Sequence, residues 1–137
     1  MNEIILAVDG GATKTAVTIR TIDGKTLFSA TSTGSNYQAI GRERVQHVFE
    51  KLLLQASELL TARTIAVAVF AIAGIDTAED ARIVREITEA SITNSPFTVE
   101  KLIVENDVEA TLLGIANNQP TTLLISGTGA ICFSFNG

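Results

Sequence analysis

The sequence predicts an α/β fold in which a mixed five-stranded sheet is flanked by helices. Three short β-prone runs come first and are separated by turn residues, which is typical of consecutive antiparallel strands. Helical and strand patterns then alternate, as they do where parallel strands are joined by crossover helices. Together these observations predict the element order βββαβαβα for most of the 137 residues.

The first three strands are predicted at residues 3–9, 15–20 and 26–31. A glycine-rich loop separates the first two strands, and the turn sequence Asp23-Gly24-Lys25 separates the second from the third. Residues of these types form the tight turns of β-hairpins. The chain is therefore expected to open with a three-stranded meander.

The middle of the chain carries the patterns of helices and parallel strands. Residues 41–60 place apolar side chains at spacings of three and four, which predicts an amphipathic helix. Residues 64–73 are almost continuously apolar, as in a strand that is covered on both faces near the centre of a sheet. Thr77 and Asp80 have the spacing of a capping box and predict a second helix, followed by a strand at 98–104.

The last part of the chain suggests a second unit. A third helix is predicted to begin at Asp107, and two more strands follow at 121–126 and 130–135. We therefore divide the chain into an N-terminal domain at residues 1–118 and the first hairpin of a truncated second domain at 119–137. The apolar side chains of this hairpin predict pairing with another copy of the chain, so that a homodimer is expected.

Composition excludes several classes of partner. The net charge is −5 and no dense cluster of Lys or Arg is present, so neither nucleic acid nor a membrane surface is an expected partner. The lone Cys132 excludes an intramolecular disulfide and suits a reducing compartment. The chain shows no leader-peptide pattern and no apolar run of membrane-spanning length. We expect a cytoplasmic protein that acts on a small molecule.

The loop at residues 9–15, Asp-Gly-Gly-Ala-Thr-Lys-Thr, is the first candidate for chemistry. Gly10 and Gly11 would let backbone amides approach an anion closely, and Thr13 and Lys14 add a hydroxyl and a positive charge. The loop is neither a Walker A motif nor a GxGxxG dinucleotide fingerprint. A plain β-turn is the alternative, and a phosphate site becomes the better interpretation only with a second loop of the same kind.

Residues 126–129, Ser-Gly-Thr-Gly, supply that second loop, again between two predicted strands. Two such loops can face one phosphate chain from opposite sides. Asp107 follows a predicted strand and opens a predicted helix, where the helix dipole favours an ionised carboxylate that accepts a proton. Sites of α/β proteins are usually built at such strand ends. A helix N-cap is the alternative role of Asp107.

The two loops, the element order and Asp107 resemble the actin, hexokinase and Hsp70 superfamily, whose domain has the ribonuclease H-like fold of actin-like ATPases. Within it the chain is similar to the N-acetylglucosamine kinases and the BadF/BadG-type ATPases grouped with them. Ser32-Thr33-Gly34-Ser35-Asn36 resembles the sugar-binding segment of these kinases, and Phe70-Ala71-Ile72-Ala73-Gly74 resembles their next strand and turn. The similarity covers essentially the whole chain.

This resemblance implies an ATP- and Mg²⁺-dependent kinase that phosphorylates N-acetylglucosamine or a related amino sugar. It implies that Asp107 is the catalytic base and that Asp9 holds the Mg²⁺ through water. The implied phosphate-binding residues are Gly10, Gly11, Ala12, Thr13, Lys14, Gly127, Thr128 and Gly129. The implied substrate-binding residues are Gly34, Asn36, Gly74, Asn106 and Asp107.

Two alternatives remain open at this point: an ATP-hydrolysing activator of a radical dehydratase, and a sugar-binding regulator without turnover. Tyr37 and Glu105-Asn106 differ from the residues common in the family at these positions, so the identity of the sugar stays open. Family members are longer because a second domain supplies the adenosine pocket, and the 137-residue chain alone is expected to be inactive. His47 is interpreted as a solvated or helix-packing residue.

Overall fold

The computed structural model describes residues 3–106, 121–126 and 130–135, the last two ranges as strands without their side chains. The predicted third helix, which begins at Asp107, lies outside the described residues. The loop at 127–129 does so as well, and the proposed division of the chain near residue 118 falls within the same undescribed region.

The first three strands form the predicted meander. They are β1 (Ile4–Gly10), β2 (Lys14–Thr21) and β3 (Thr26–Thr33), and each pairs antiparallel with the next. The turn between β2 and β3 depends on Gly24, which has a φ of 103°. Residues with a side chain rarely adopt that backbone conformation, so glycine suits this turn.

Two further strands extend the sheet in parallel. They are β4 (Thr64–Ile72) and β5 (Thr98–Glu105), and the strand order is β3-β2-β1-β4-β5. The parallel strands β1, β4 and β5 end at the same edge of the sheet, which we call the carboxyl edge. Strands β6 (Thr121–Ser126) and β7 (Ala130–Phe135) form a separate antiparallel pair, and β6 contacts β1 and β2.

Three helices lie within the described residues: α1 (Tyr37–Ile40), α2 (Arg42–Leu59) and α3 (Ala78–Thr93). The two long helices agree with the sequence patterns, and α3 begins with the predicted capping box between Thr77 and Asp80. The short helix α1 was not predicted, because four residues are too few to show a helical period. None of the helices in the described part of the chain is long and apolar enough to cross a lipid bilayer.

The core lies between the sheet and helices α2 and α3, which pack against each other. Phe49 of α2 meets Phe70 of β4 edge to face, with ring centroids 5.2 Å apart. Such aromatic pairs add about 0.5–1.5 kcal/mol beyond their burial. The largest fully buried side chains are those of Phe49, Phe70, Ile4, Leu6, Ile19, Ile65, Ile72, Ile87 and Val17. This core fixes the strand ends that carry the candidate site.

Candidate active site

Four short segments meet at the carboxyl edge of the sheet. Residues 10–14, which we call the glycine hairpin, join β1 to β2, and residues 34–36 follow β3. The turn at 73–77 follows β4, and Asn106 follows β5. Ligands of α/β proteins bind at the carboxyl ends of parallel strands, and the topology brings the described ones among the predicted site residues to that edge.

The glycine hairpin is held at its base by backbone hydrogen bonds. Gly11 donates to the Lys14 carbonyl over 2.8 Å and accepts from the Ser35 amide over 3.1 Å. Gly10 accepts from the Ala73 amide over 2.7 Å. The hairpin is thus tied to the segment after β3 and to the turn after β4.

The tip of the hairpin consists of Ala12 and Thr13, which are both exposed. Backbone amides of such a tip can face an anion when the base of the loop is held in place. The backbone bonds at the base would preorganise the hairpin for the predicted phosphate-binding role.

Two glycines allow the segment after β3 to lie directly against the hairpin. A methyl group on Gly34 would lie 2.1 Å from the Ala12 carbonyl oxygen, and one on Gly10 would lie 2.2 Å from the Ser35 Oγ. Beneath them Thr15 donates a hydrogen bond of 2.8 Å to the Ser35 Oγ, and both hydroxyl side chains are fully buried. Sequence reasoning missed the Thr15–Ser35 contact, because the two residues lie in separate segments 20 positions apart.

Asp9 is the second-last residue of β1 and directly precedes the glycine hairpin. Burial raises the pKa of its carboxyl above the ordinary value of 3.8, and the positive charge of Lys14 partly opposes that shift. Mg²⁺ is usually bound by one or two carboxylates together with substrate phosphates and water. A single carboxylate beside the glycine hairpin fits that donor set.

We expect Asp9→Asn to raise the melting temperature of the protein and to lower activity about 100-fold or more. Because the folded-state pKa of Asp9 is raised, its ionised carboxylate destabilises the fold at neutral pH, and protonation removes that cost as the pH falls. Thermal melts of both proteins at neutral and at acid pH measure the effect. The stability gain of the variant should shrink toward acid pH, and a variant less stable than the wild type at neutral pH would contradict the prediction.

Asn36 and Gly74 were predicted from separate segments and are in contact. Asn36 caps α1, and its Oδ1 accepts from the Gln38 amide over 3.0 Å. Gly74 has a φ of 97°, and a methyl group there would lie 2.5 Å from the same Oδ1. The side chain of Asn36 therefore packs over the backbone of the turn after β4, where only glycine leaves room.

The end of β5 joins the same group of segments. Asn106 donates from Nδ2 to the Ile75 carbonyl over 2.8 Å, which ties it to the turn after β4. Asp107 is the next residue and lies outside the described residues, as do Gly127, Thr128 and Gly129. Strand β6, which precedes that second loop, contacts the two strands that flank the glycine hairpin.

His47 lies on α2, as predicted, and lines a cavity of about 440 Å³ beside the glycine hairpin. The other described residues of its wall are Ala12, Thr33, Gly34, Ile40, Glu43, Arg44 and Val48. The interpretation of His47 as a solvated or helix-packing residue agrees with its position on α2. It did not predict this cavity, because the hairpin and the helix are distant in sequence.

Comparison with known proteins agrees with this geometry. No family model matches the chain. The N-acetylmuramic acid/N-acetylglucosamine kinase of Clostridium acetobutylicum is 30% identical over 134 residues, which are 96% of this chain and 42% of the kinase. The chain thus spans less than half the length of this relative. The similarity to the N-acetylglucosamine kinases that the sequence predicted is confirmed.

Solved structures show the same arrangement of elements. EutJ, an ethanolamine utilization protein of Carboxydothermus hydrogenoformans, matches all of the chain and 54% of its own length with a TM-score of 0.59 at 13% identity. A Chromobacterium violaceum protein assigned as an N-acetylglucosamine kinase matches 97% of the chain and 45% of its own length, with a TM-score of 0.54 at 22% identity. The chain has the actin-like ATPase fold.

The actin-like ATPase fold also occurs in a reductive activator for a corrinoid iron-sulfur protein, which has a TM-score of 0.53 and is 17% identical. That protein matches 98% of this chain and 29% of its own length. At such identities the shared fold does not decide the function of the protein. The choice among functions therefore depends on the residues at the carboxyl edge.

Proposed function

We propose that this chain is the phosphate- and sugar-binding part of an ATP-dependent kinase that phosphorylates a hydroxyl of N-acetylglucosamine or a related amino sugar. The observation that carries the proposal is the contact between the glycine hairpin and the segment 34–36. That contact puts a candidate phosphate site and a candidate sugar site side by side. The 30% identity to the Clostridium kinase supports the same substrate class.

When bound, ATP would supply the phosphoryl group, and Mg²⁺ would neutralise the negative charge of the phosphates. The chain's own residues bind and orient the reactants, which is the larger part of catalysis in phosphoryl transfer. Asp9 would hold the metal through water, and the glycine hairpin with residues 127–129 would bind the phosphates. Asn36 and Gly74 would bind the sugar, and Asp107 would accept the proton of the attacking hydroxyl.

An ADP-release assay of the full-length protein tests this function. The acceptors should include N-acetylglucosamine, glucosamine, glucose and N-acetylmuramic acid, the last because it occurs in the name of the Clostridium relative. We expect ADP release that depends on one amino sugar and a phosphorylated sugar product detectable by mass spectrometry. ADP release without dependence on any sugar would favour the activator, and sugar binding without ADP release would favour the regulator.

The proposal also includes the compartment and the oligomeric state of the protein. Phosphorylation by ATP suits a cytoplasmic enzyme, and the single cysteine of the chain, Cys132, agrees with a reducing compartment. We keep the homodimer as part of the proposal because of the apolar residues in the sequence of β6 and β7. The full-length protein in analytical ultracentrifugation should sediment as a dimer.

A further inference from the structure

The segment that carries Asn36 is held by polar contacts with two other segments. Helix α1 has four residues and none of them is buried, although Tyr37 and Ile40 pack partly against the core. A helix of this length has little stability of its own. The orientation of Asn36 therefore depends on contacts that α1 makes with its surroundings.

Two of these contacts reach the turn after β4 and the start of α3. The Tyr37 hydroxyl donates to Oδ1 of Asp80, and the Gln38 Nε2 donates to the Gly74 carbonyl over 2.8 Å. We call these two hydrogen bonds the α1 clamp. They hold the residues that follow Asn36 onto the same turn over which the Asn36 side chain packs.

Asp80 does more in this position than cap its helix. Its Oδ2 accepts from the Thr77 amide, as in a capping box, and also from the Asp76 amide, both over 3.0 Å. Its Oδ1 accepts a hydrogen bond from the Tyr37 hydroxyl. The hydrogen bond from Tyr37 lowers the pKa of Asp80, so the carboxylate remains an ionised acceptor at neutral pH. One buried carboxylate thus joins α1, the turn after β4 and α3.

The N-cap of α1, in the segment that the clamp holds against the turn after β4, sets which side-chain atom of Asn36 is engaged. Its Oδ1 accepts from the Gln38 amide and packs over Gly74. Within the part of the chain that the structure describes, Nδ2 of Asn36 donates no hydrogen bond. A side-chain amide whose oxygen is engaged presents its nitrogen, which is a donor. The matching ligand group is an acceptor, such as a sugar hydroxyl oxygen or an acetamido carbonyl.

We infer that Tyr37 and Gln38, with Asp80 as their anchor, are positioning residues that hold the Asn36 amide as a donor toward the sugar. The inference rests on the proposed function and adds residues to which the sugar-kinase resemblance assigns no role. Its consequence is specific: loss of the clamp should weaken sugar binding and leave the phosphate site intact, because the glycine hairpin is held by other bonds.

The test compares Tyr37→Phe and Gln38→Met with Thr77→Ala in the full-length protein. The first two variants each remove one bond of the clamp and keep the capping box of α3. Thr77→Ala removes the capping hydroxyl and leaves both bonds of the clamp. Sugar affinity is measured by calorimetry without ATP, KM and kcat by ADP release, and stability by thermal melts.

We expect Tyr37→Phe and Gln38→Met to raise the Kd and KM for the sugar about 10-fold while the KM for ATP changes less than about twofold. Thr77→Ala should lower the melting temperature but leave the Kd and KM for the sugar near wild-type values. Equal sugar affinity in wild type and both clamp variants would overturn the inference, as would a parallel loss in Thr77→Ala. A wild type that neither binds nor turns over any amino sugar would instead overturn the proposed function, and the inference with it.

Discussion

Asp107→Asn is expected to lower kcat about 10²–10⁴-fold, the range that a general base contributes to proton transfer. Asparagine keeps the size of the side chain but cannot accept the hydroxyl proton of the sugar. The Kd for the sugar should change little, because binding does not require the proton to be transferred. The variant is assayed by ADP release at saturating sugar and ATP, and sugar binding is measured separately by calorimetry.

Glu105→Gln is the matched control for this prediction. Glu105 is an exposed carboxylate two positions earlier, at the end of β5, and it takes no part in the proposed proton transfer. Its replacement should leave kcat within about twofold of the wild type, since exposed surface substitutions have small effects. If Asp107→Asn retained turnover comparable to that of Glu105→Gln, Asp107 would not be the base. The assignment of Asp107 as the base derives from the resemblance alone, and the bond from Asn106 shows where the preceding residue lies.

Gly34→Ala has the second largest expected effect, and it acts through the backbone. The added methyl group would lie 2.1 Å from the Ala12 carbonyl oxygen and 2.6 Å from the carbonyl carbon. No side-chain rotation relieves a contact between backbone and Cβ, so the glycine hairpin or the end of β3 must move. Overpacking of this kind costs about 1–3 kcal/mol or more. We expect a lower free energy of unfolding and a KM for ATP raised about 10-fold or more.

Gly24→Ala is the control that distinguishes a general loss of stability from a displacement of the glycine hairpin. Gly24 has a φ of 103° but open space around its Cα, so alanine there is strained only by its backbone conformation. That strain costs about 1–2 kcal/mol and lies in the turn between β2 and β3, away from the site. Urea unfolding should show both variants destabilised, whereas the KM for ATP should rise in Gly34→Ala alone. A normal KM in both variants would show that the hairpin does not bind the phosphates.

Local patterns were enough to predict most of the elements. The turn residues at 23–25, the apolar run at 64–73 and the Thr77/Asp80 spacing each depend on neighbours a few residues apart, and the structure confirms each one. Helix α1 was missed because its signal is shorter than a helical period. Its one local cue was Asn36, a residue type preferred at N-caps, three residues after the end of β3.

The site residues divide in the same way. Gly10 belongs to a glycine-rich loop whose residue types indicated close backbone approach, whereas Gly34, Asn36 and Gly74 were predicted from the resemblance to the sugar kinases. The partners that position them are Ser35, Tyr37 and Asp80, whose roles arise from contacts across 20 to 43 positions of sequence. Such contacts leave no periodic or spacing signal in one chain, so the sequence predicted Asp80 only as part of a capping box.

The sequence by itself therefore determined the strands and long helices of this protein and the turn at its glycine hairpin, because those depend on local backbone preference and short-range periodicity. The tertiary structure decided which segments meet at the carboxyl edge, that Gly34 must be glycine because of Ala12, and that Asp80 joins α1 to α3. Those features depend on atoms within a few ångströms that the strand order β3-β2-β1-β4-β5 brings together from distant parts of the chain.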